Sequence, residues 1–118
     1  MSKTLIKFNT MNTSAEALRP DNHKIVSGDP AQTVRNHYTN SSGEFFSGEW
    51  TGEVGKWKIR YSEDEFCFVT RGRNIITNQD GVAVAVNAGD AFVIPSGFEG
   101  TWEVLEPTHK FYAIFERK

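Results

Sequence analysis

The sequence predicts an all-β chain that closes into a barrel or double-layered sheet behind an extended N-terminal arm. Three observations carry this. From residue 33 onward, short runs rich in β-branched and aromatic residues follow one another. Turn-forming clusters separate them at the spacing of antiparallel sandwiches and barrels. No stretch of helical length shows a sustained 3.6-residue apolar period.

Residues 1–30 are polar and mixed and form the arm, with a weak helical signal in "TSAEALRP", where Thr13 or Ser14 caps a short turn that Pro20 stops. Residues 31–118 form the single domain. "TVRNHYT" leads into the turn "NSSG", "EFFSGEWT" into "GEVG", and "KWKIRYS" into the acidic "EDE". "FCFVTRG" runs up to Gly72 and "RNIIT" follows as the next strand. "NQDG" is a hairpin turn, since Asp80-Gly81 tolerates positive φ. "VAVAV" runs to "NAGD", "AFVIP" to "SGFEG", and "TWEVLEP" and "HKFYAIFERK" complete roughly eight or nine strands. A flat open sheet of that many strands would expose reactive edges, so closure is expected.

With 118 residues the chain suits one domain and one site. No run reaches the roughly 20 apolar residues of a membrane helix, so no membrane partner is expected. The opening "MSKTLIKFNTMNTSAEALRP" has neither the apolar core nor the cleavage pattern of a secretory signal, which makes the cytoplasm the expected location. A net charge of -2 with scattered basic residues argues against nucleic acid. The two glycine-rich phosphate-loop patterns are missing. A single cysteine, Cys67, excludes an intrachain disulfide and a cysteine-rich zinc cage.

Candidate chemistry lies in "RYSEDEFCFVTRG". Alternation puts Tyr61, Glu63, Glu65 and Cys67 on one side of a strand and Phe66 and Phe68 on the other. Two carboxylates in a partly desolvated pocket repel, and one then takes up a proton more readily, giving an acid–base pair beside a phenol. Glu65, Glu63 and Tyr61 are therefore the candidate catalytic residues. Glu63 and Asp64 have a second reading as a solvated bend, which leaves Glu65 alone facing inward. Cys67, Phe98, Trp102 and Tyr112 are the candidate ligand contacts: the last two as aromatic walls, Phe98 in the loop "SGFEG" at the barrel mouth. Cys67 reads foremost as a small buried hydrophobe, because no base for a nucleophile is evident in sequence. Trp50 and Trp57 read as core. Phe66 and Phe68 call for cover by the arm or by a second subunit. His23, His37 and His109 show no ligand-pair spacing and read as surface or satisfied structural histidines.

From about Phe45 onward the chain resembles a cupin, through "GKWKIRYSEDEFCFVTRG", "AGDAFVIPSGFEGTWEVLEP" and "KFYAIFE". Gly89, Pro95 and Gly97 fit the spacing of the second cupin motif. The resemblance is to small single-domain cupins related to the (S)-ureidoglycine aminohydrolase cupin domain, the DUF861 type. It implies a double-stranded β-helix, the jelly roll. Entry through Tyr61, Asp64 and Glu65 is also similar to the ethanolamine-utilisation cupin, to which an acetate–phosphate activity is ascribed. Placed by Gly72, the family's metal-binding glutamate falls on Glu65. Its histidine positions fall on Ile59, Tyr61 and Gly100, with Thr101 near the place of a glutamine ligand. One carboxylate does not make a tight transition-metal site, so no cofactor is expected. The alternative is a hard divalent cation at Glu65, with Glu63 and water. The resemblance implies a homodimer and a small polar, nitrogenous ligand in the barrel, bound or turned over. A non-catalytic sensor or a structural dimer are the alternatives.

Overall fold

The computed structural model describes residues 3–9 and 12–118. Among the described residues nine strands form one strongly curled antiparallel sheet: β1 (Glu16–Leu18), β2 (Ile25–Gly28), β3 (Gln32–Thr39), β4 (Phe45–Gly52), β5 (Gly55–Arg60), β6 (Asp64–Asn78), β7 (Ala83–Asn87), β8 (Ala91–Ile94) and β9 (Glu99–Phe115). The only helix among the described residues is a 3-10 turn at Asn22–Lys24. The all-β expectation holds, and the curl is that of a jelly-roll barrel.

Two long strands organise the fold. β9 runs beside β6 along most of its length. Its first half pairs on the other flank with β5, and its second half with β4. β6 likewise divides its free flank, meeting β8 through residues 65–68 and β7 through residues 73–77. The sequence suggests a break at Gly72 and another at Pro107; both strands instead continue through. Register shifts between Val69 and Asn74 absorb the extra residues. Gly72 has φ +103°, and a Cβ there would meet Pro107 O and Thr108, so only glycine lets β6 cross β9 at this corner. Pro107 has no N–H and sits where the ladder is interrupted.

A second correction concerns the arm. "TSAEALRP" forms no helical turn; Glu16–Leu18 are β1 and pair with Gln32–Val34. A single turn has one hydrogen bond to offset its nucleation cost, whereas the edge of β3 offers a ready row of backbone partners. The "NQDG" hairpin forms as expected, with Gly81 at φ +84°.

Period-two alternation sorts the side chains. Inward lie Trp50, Trp57, Ile76, Val86, Ile94, Trp102, Val104 and Tyr112 as one cluster. Trp57 stacks on Trp102 at 6.2 Å, and Trp50 meets Trp102 at 5.5 Å. Buried Asn74 ties the layers together: its Oδ1 accepts from Trp102 Nε1 and Thr108 Oγ1, both at 3.0 Å, and its Nδ2 donates to Val86 O. Outward, Phe66, Phe68, Phe111 and Phe115 remain 36–47% exposed.

Candidate functional site

The interior of the barrel holds a charge pair. Glu65 on β6 and Lys110 on β9 point inward from neighbouring strands, and Lys110 Nζ donates to Glu65 Oε2 at 3.0 Å. Their side chains are only 5% and 4% exposed. Cys67, two residues along β6, lies 3.5 Å from the same Nζ. The ammonium is roofed by indoles, 4.3 Å from the centre of the Trp102 ring and 4.9 Å from that of Trp50. A cation so placed recovers from the two rings a part of what it loses in hydration.

Electrostatics follow from this packing. Burial alone would strip the Lys110 proton, but the Glu65 carboxylate beside it, helped by Cys67, outweighs that and raises its pKa above the usual lysine range. Burial pushes the Cys67 thiol up to about 12, with the ammonium pulling the other way. Cys67 is thus a neutral thiol and no nucleophile at neutral pH, as its sequence context suggests. Burial, then the charge of Glu65, raises Tyr112 to about 12; its hydroxyl donates to Asn36 Oδ1 at 2.8 Å. A Cβ at Gly48 would fall 2.7 Å from that hydroxyl, so β4 needs a residue without a side chain here.

Tyr61 sits at the boundary of this cluster. Its phenol is held well above its ordinary pKa by burial and then by the nearby Glu65 carboxylate. Its other side lines an external cleft of about 340 Å³ between the arm and β5, and a second of about 470 Å³ with Ser96 and Gly97. Glu63 lies in the bend before β6, partly exposed, near enough for its charge to act on Tyr61. Phe98 accepts at its carbonyl from Tyr61 N at 2.9 Å, and the residue lines an apolar hollow of about 160 Å³ bounded by Ile76, Val84, Val86, Phe92 and Ile94. The structure therefore gathers Tyr61, Glu65, Cys67, Trp102 and Tyr112, leaves Glu63 at the rim, and joins Phe98 to this group through its backbone while its side chain lines the apolar hollow.

Sequence reasoning missed Lys110. The signal was the same alternation applied to "HKFYAIF": Lys110 shares the inward face with Tyr112 and Ile114, an odd place for a lysine unless an acid opposes it.

A second cluster lies outside the barrel. Glu49 on β4 accepts from His37 Nε2 at 2.6 Å and His109 Nε2 at 2.8 Å. Thr13 Oγ1 lies 3.0 Å from His37 Nδ1, and Thr70 Oγ1 meets His109 Nδ1. Phe8 of the arm stacks on the His37 ring at 4.4 Å. These two histidines are satisfied structural groups.

The metal that cupins commonly hold does not fit here. Ile59, Tyr61 and Gly100 stand at the histidine positions, and the one carboxylate is engaged by an ammonium. Among the described residues, no group of three or more His, Cys, Asp or Glu is arranged to hold an ion. Nor is any helix among them long and apolar enough to cross a membrane.

Comparison with known proteins agrees with the fold. No curated protein matches the sequence. A DUF861-family protein of unknown function from Pseudomonas syringae superposes with a TM-score of 0.78 at 20% identity, over 86% of this chain and 43% of its own. The Clostridium difficile EutQ protein superposes with a TM-score of 0.67 at 19% identity, over 75% of this chain and 65% of its own. A DUF861-family protein from Thermotoga maritima is 33% identical over 54% of this chain and 73% of its own, with a TM-score of 0.53. The chain thus spans less than half of the first and about two thirds of the second. The profile of the EutQ-like cupin domain matches residues 39–112. The chain belongs to the EutQ-like cupin domain family.

Proposed function

We propose that this chain is a metal-independent cupin that binds a small polar metabolite at the Tyr61 end of its barrel. The observation that carries this is the Lys110 ammonium 3.0 Å from Glu65, which places a fixed, protein-supplied cation against the carboxylate that would otherwise hold a metal. An ion pair is charge-neutral as a unit, and it lies close enough to Tyr61, which lines the clefts, for the Glu65 charge to act on the phenol. A ligand there meets the Tyr61 side chain, backed by a buried charge pair.

The resemblance to ureidoglycine aminohydrolase and ethanolamine-utilisation cupins supports a nitrogenous ligand. The test is a thermal-shift screen of ureides, amino alcohols and other small nitrogenous metabolites on chelator-treated protein, with elemental analysis of the untreated protein. Ligand stabilisation that survives chelation is the expected result. Stoichiometric metal whose removal abolishes every ligand response would contradict the reading. Acid–base turnover at Glu65 is a second reading, favoured by the Tyr61 contact. It requires that Glu65→Gln abolish consumption of whichever metabolite binds.

A second copy of this chain is the proposed cover of the outer face. On this face Phe8 of the arm meets Phe111, at 5.9 Å, and Phe66 and Phe68 stay 47% and 37% exposed. Val93 and Ala113 flank Phe66 in the same row, so the patch is continuous and uncharged across three strands. In sedimentation, Phe66→Glu should convert a dimer to a monomer; an unchanged mass would contradict it.

A further inference from the structure

The cleft between the arm and β5 has a composition that the barrel reading does not use. It is about 340 Å³, large enough for a small metabolite. Arg19, Lys24, Lys58 and Arg60 line it, against Asp21 as the single acid. Four cations thus face one carboxylate in a chain of net charge -2, so the local potential runs against that of the whole molecule.

The cations are also available. Arg19 pairs with Asp29, and Arg60 Nε lies 3.1 Å from Glu99 Oε1; neither acid lines the cleft. Each guanidinium retains further N–H donors after making one such contact. Lys24 and Lys58 have no ion-pair partner among the described residues.

The backbone contributes as well. β2 pairs with β5 only through residues 55–57, while β9 pairs with β5 as far as Arg60. Residues 58–60 therefore have β9 on one flank and the cleft on the other. Leu18, Pro20, Trp57 and Tyr61 supply apolar and aromatic walls. Charged rims with an apolar and aromatic floor suit a carbon skeleton that carries anionic groups.

We propose that the cleft between the arm and β5 binds a small organic anion, its carboxylate or phosphate groups held by Lys24, Lys58, Arg19 and Arg60 and its skeleton laid on Trp57. This names the ligand class of the Tyr61 end and so rests on the metal-independent binding reading. Because the arm supplies one wall, occupancy should also fasten the arm to β5.

The experiment is calorimetric titration of the full chain in metal-free, low-salt buffer with citrate, ribose 5-phosphate and, as uncharged control, ribose. Citrate or ribose 5-phosphate should bind and ribose should not; which of the two binds tighter assigns carboxylate or phosphate. Lys24→Glu and Lys58→Glu should each weaken binding by about tenfold, and Lys7→Glu, the same charge change outside the cleft, should leave it within about twofold. Heat-unfolding curves of the exposed-lysine variants check that each is folded. If neither anion binds, or all three variants behave alike, the cleft is not an anion site. If Glu65→Gln abolishes binding while Lys58→Glu retains it, the ligand sits against the barrel pair: the cleft assignment then fails and the binding reading stands.

Discussion

The chain contains two sheltered carboxylates, and it answers them differently on the two sides of the same sheet. Inside the barrel, Glu65 meets an ammonium that burial, the carboxylate and two indoles hold in place. Outside, Glu49 meets two imidazoles, which Thr13 and Thr70 orient and Phe8 covers. The inner arrangement carries full charges in a dry site; it is costly to break from one side and gives little net stability over hydrocarbon. The outer arrangement needs only one N–H from each imidazole toward Glu49 and is shared with the arm through Thr13 and Phe8. Charge burial thus fixes the barrel, whereas hydrogen bonding fastens the arm.

The largest effect should come from breaking the inner pair from one side. Lys110→Met leaves the Glu65 carboxylate buried without its cation, and a loss of about 3–5 kcal/mol is expected in denaturant unfolding. A loss below about 1 kcal/mol would mean that water reaches Glu65.

Alkaline pH should give the next largest effect. Cys67, Tyr61 and Tyr112 have folded pKa values above their unfolded ones, so the folded state keeps protons that the unfolded chain gives up. Lys110 is raised likewise. Each contribution is intact below the unfolded pKa and is lost as pH rises toward the folded value. For Cys67 the window runs from its ordinary 9.0 to about 12, and the loss across it is on the order of a few kcal/mol. Unfolding free energy followed over this range should fall steeply in the parent protein and less so in Cys67→Ala. Identical slopes would show that the thiol is not sheltered.

A smaller effect is expected outside. Glu49→Ala removes the acceptor for two imidazoles, at about 1–3 kcal/mol, and loosens the arm that His37 anchors. Trypsin cleavage after Lys7 should therefore accelerate in Glu49→Ala and not in Lys110→Met. Equal acceleration in both would erase the distinction between the two sides.

These contrasts also explain what was legible beforehand. Alternation along β6 placed Glu65 and Cys67 inward and Phe66 and Phe68 outward, because a two-residue period admits only two faces. The hairpin at Gly81 was readable for the same local reason. Partners across strands were not: Glu65 meets Lys110, and Glu49 meets His37 and His109, through β-ladder register rather than sequence spacing. Gly72 and Pro107 looked like strand ends because each breaks a ladder. Whether a strand stops or bulges depends on what lies beside it, and here each stands opposite the other. The arm's weak helical signal lost to a sheet edge that local propensity cannot see. That Phe98 lines an apolar hollow while its backbone bonds Tyr61 was invisible for a similar reason, since strand neighbours and not sequence spacing decide it.

Lys110 serves as the cation of the barrel, and a double-mutant cycle on Glu65→Leu and Lys110→Met tests this most directly. Each single variant should be destabilised by several kcal/mol, on the order of 3–5, and the double variant should recover most of that loss, since it leaves neither charge unpaired. Additive losses, with the double variant the least stable of the three, would show that the two groups do not answer one another and would contradict the account.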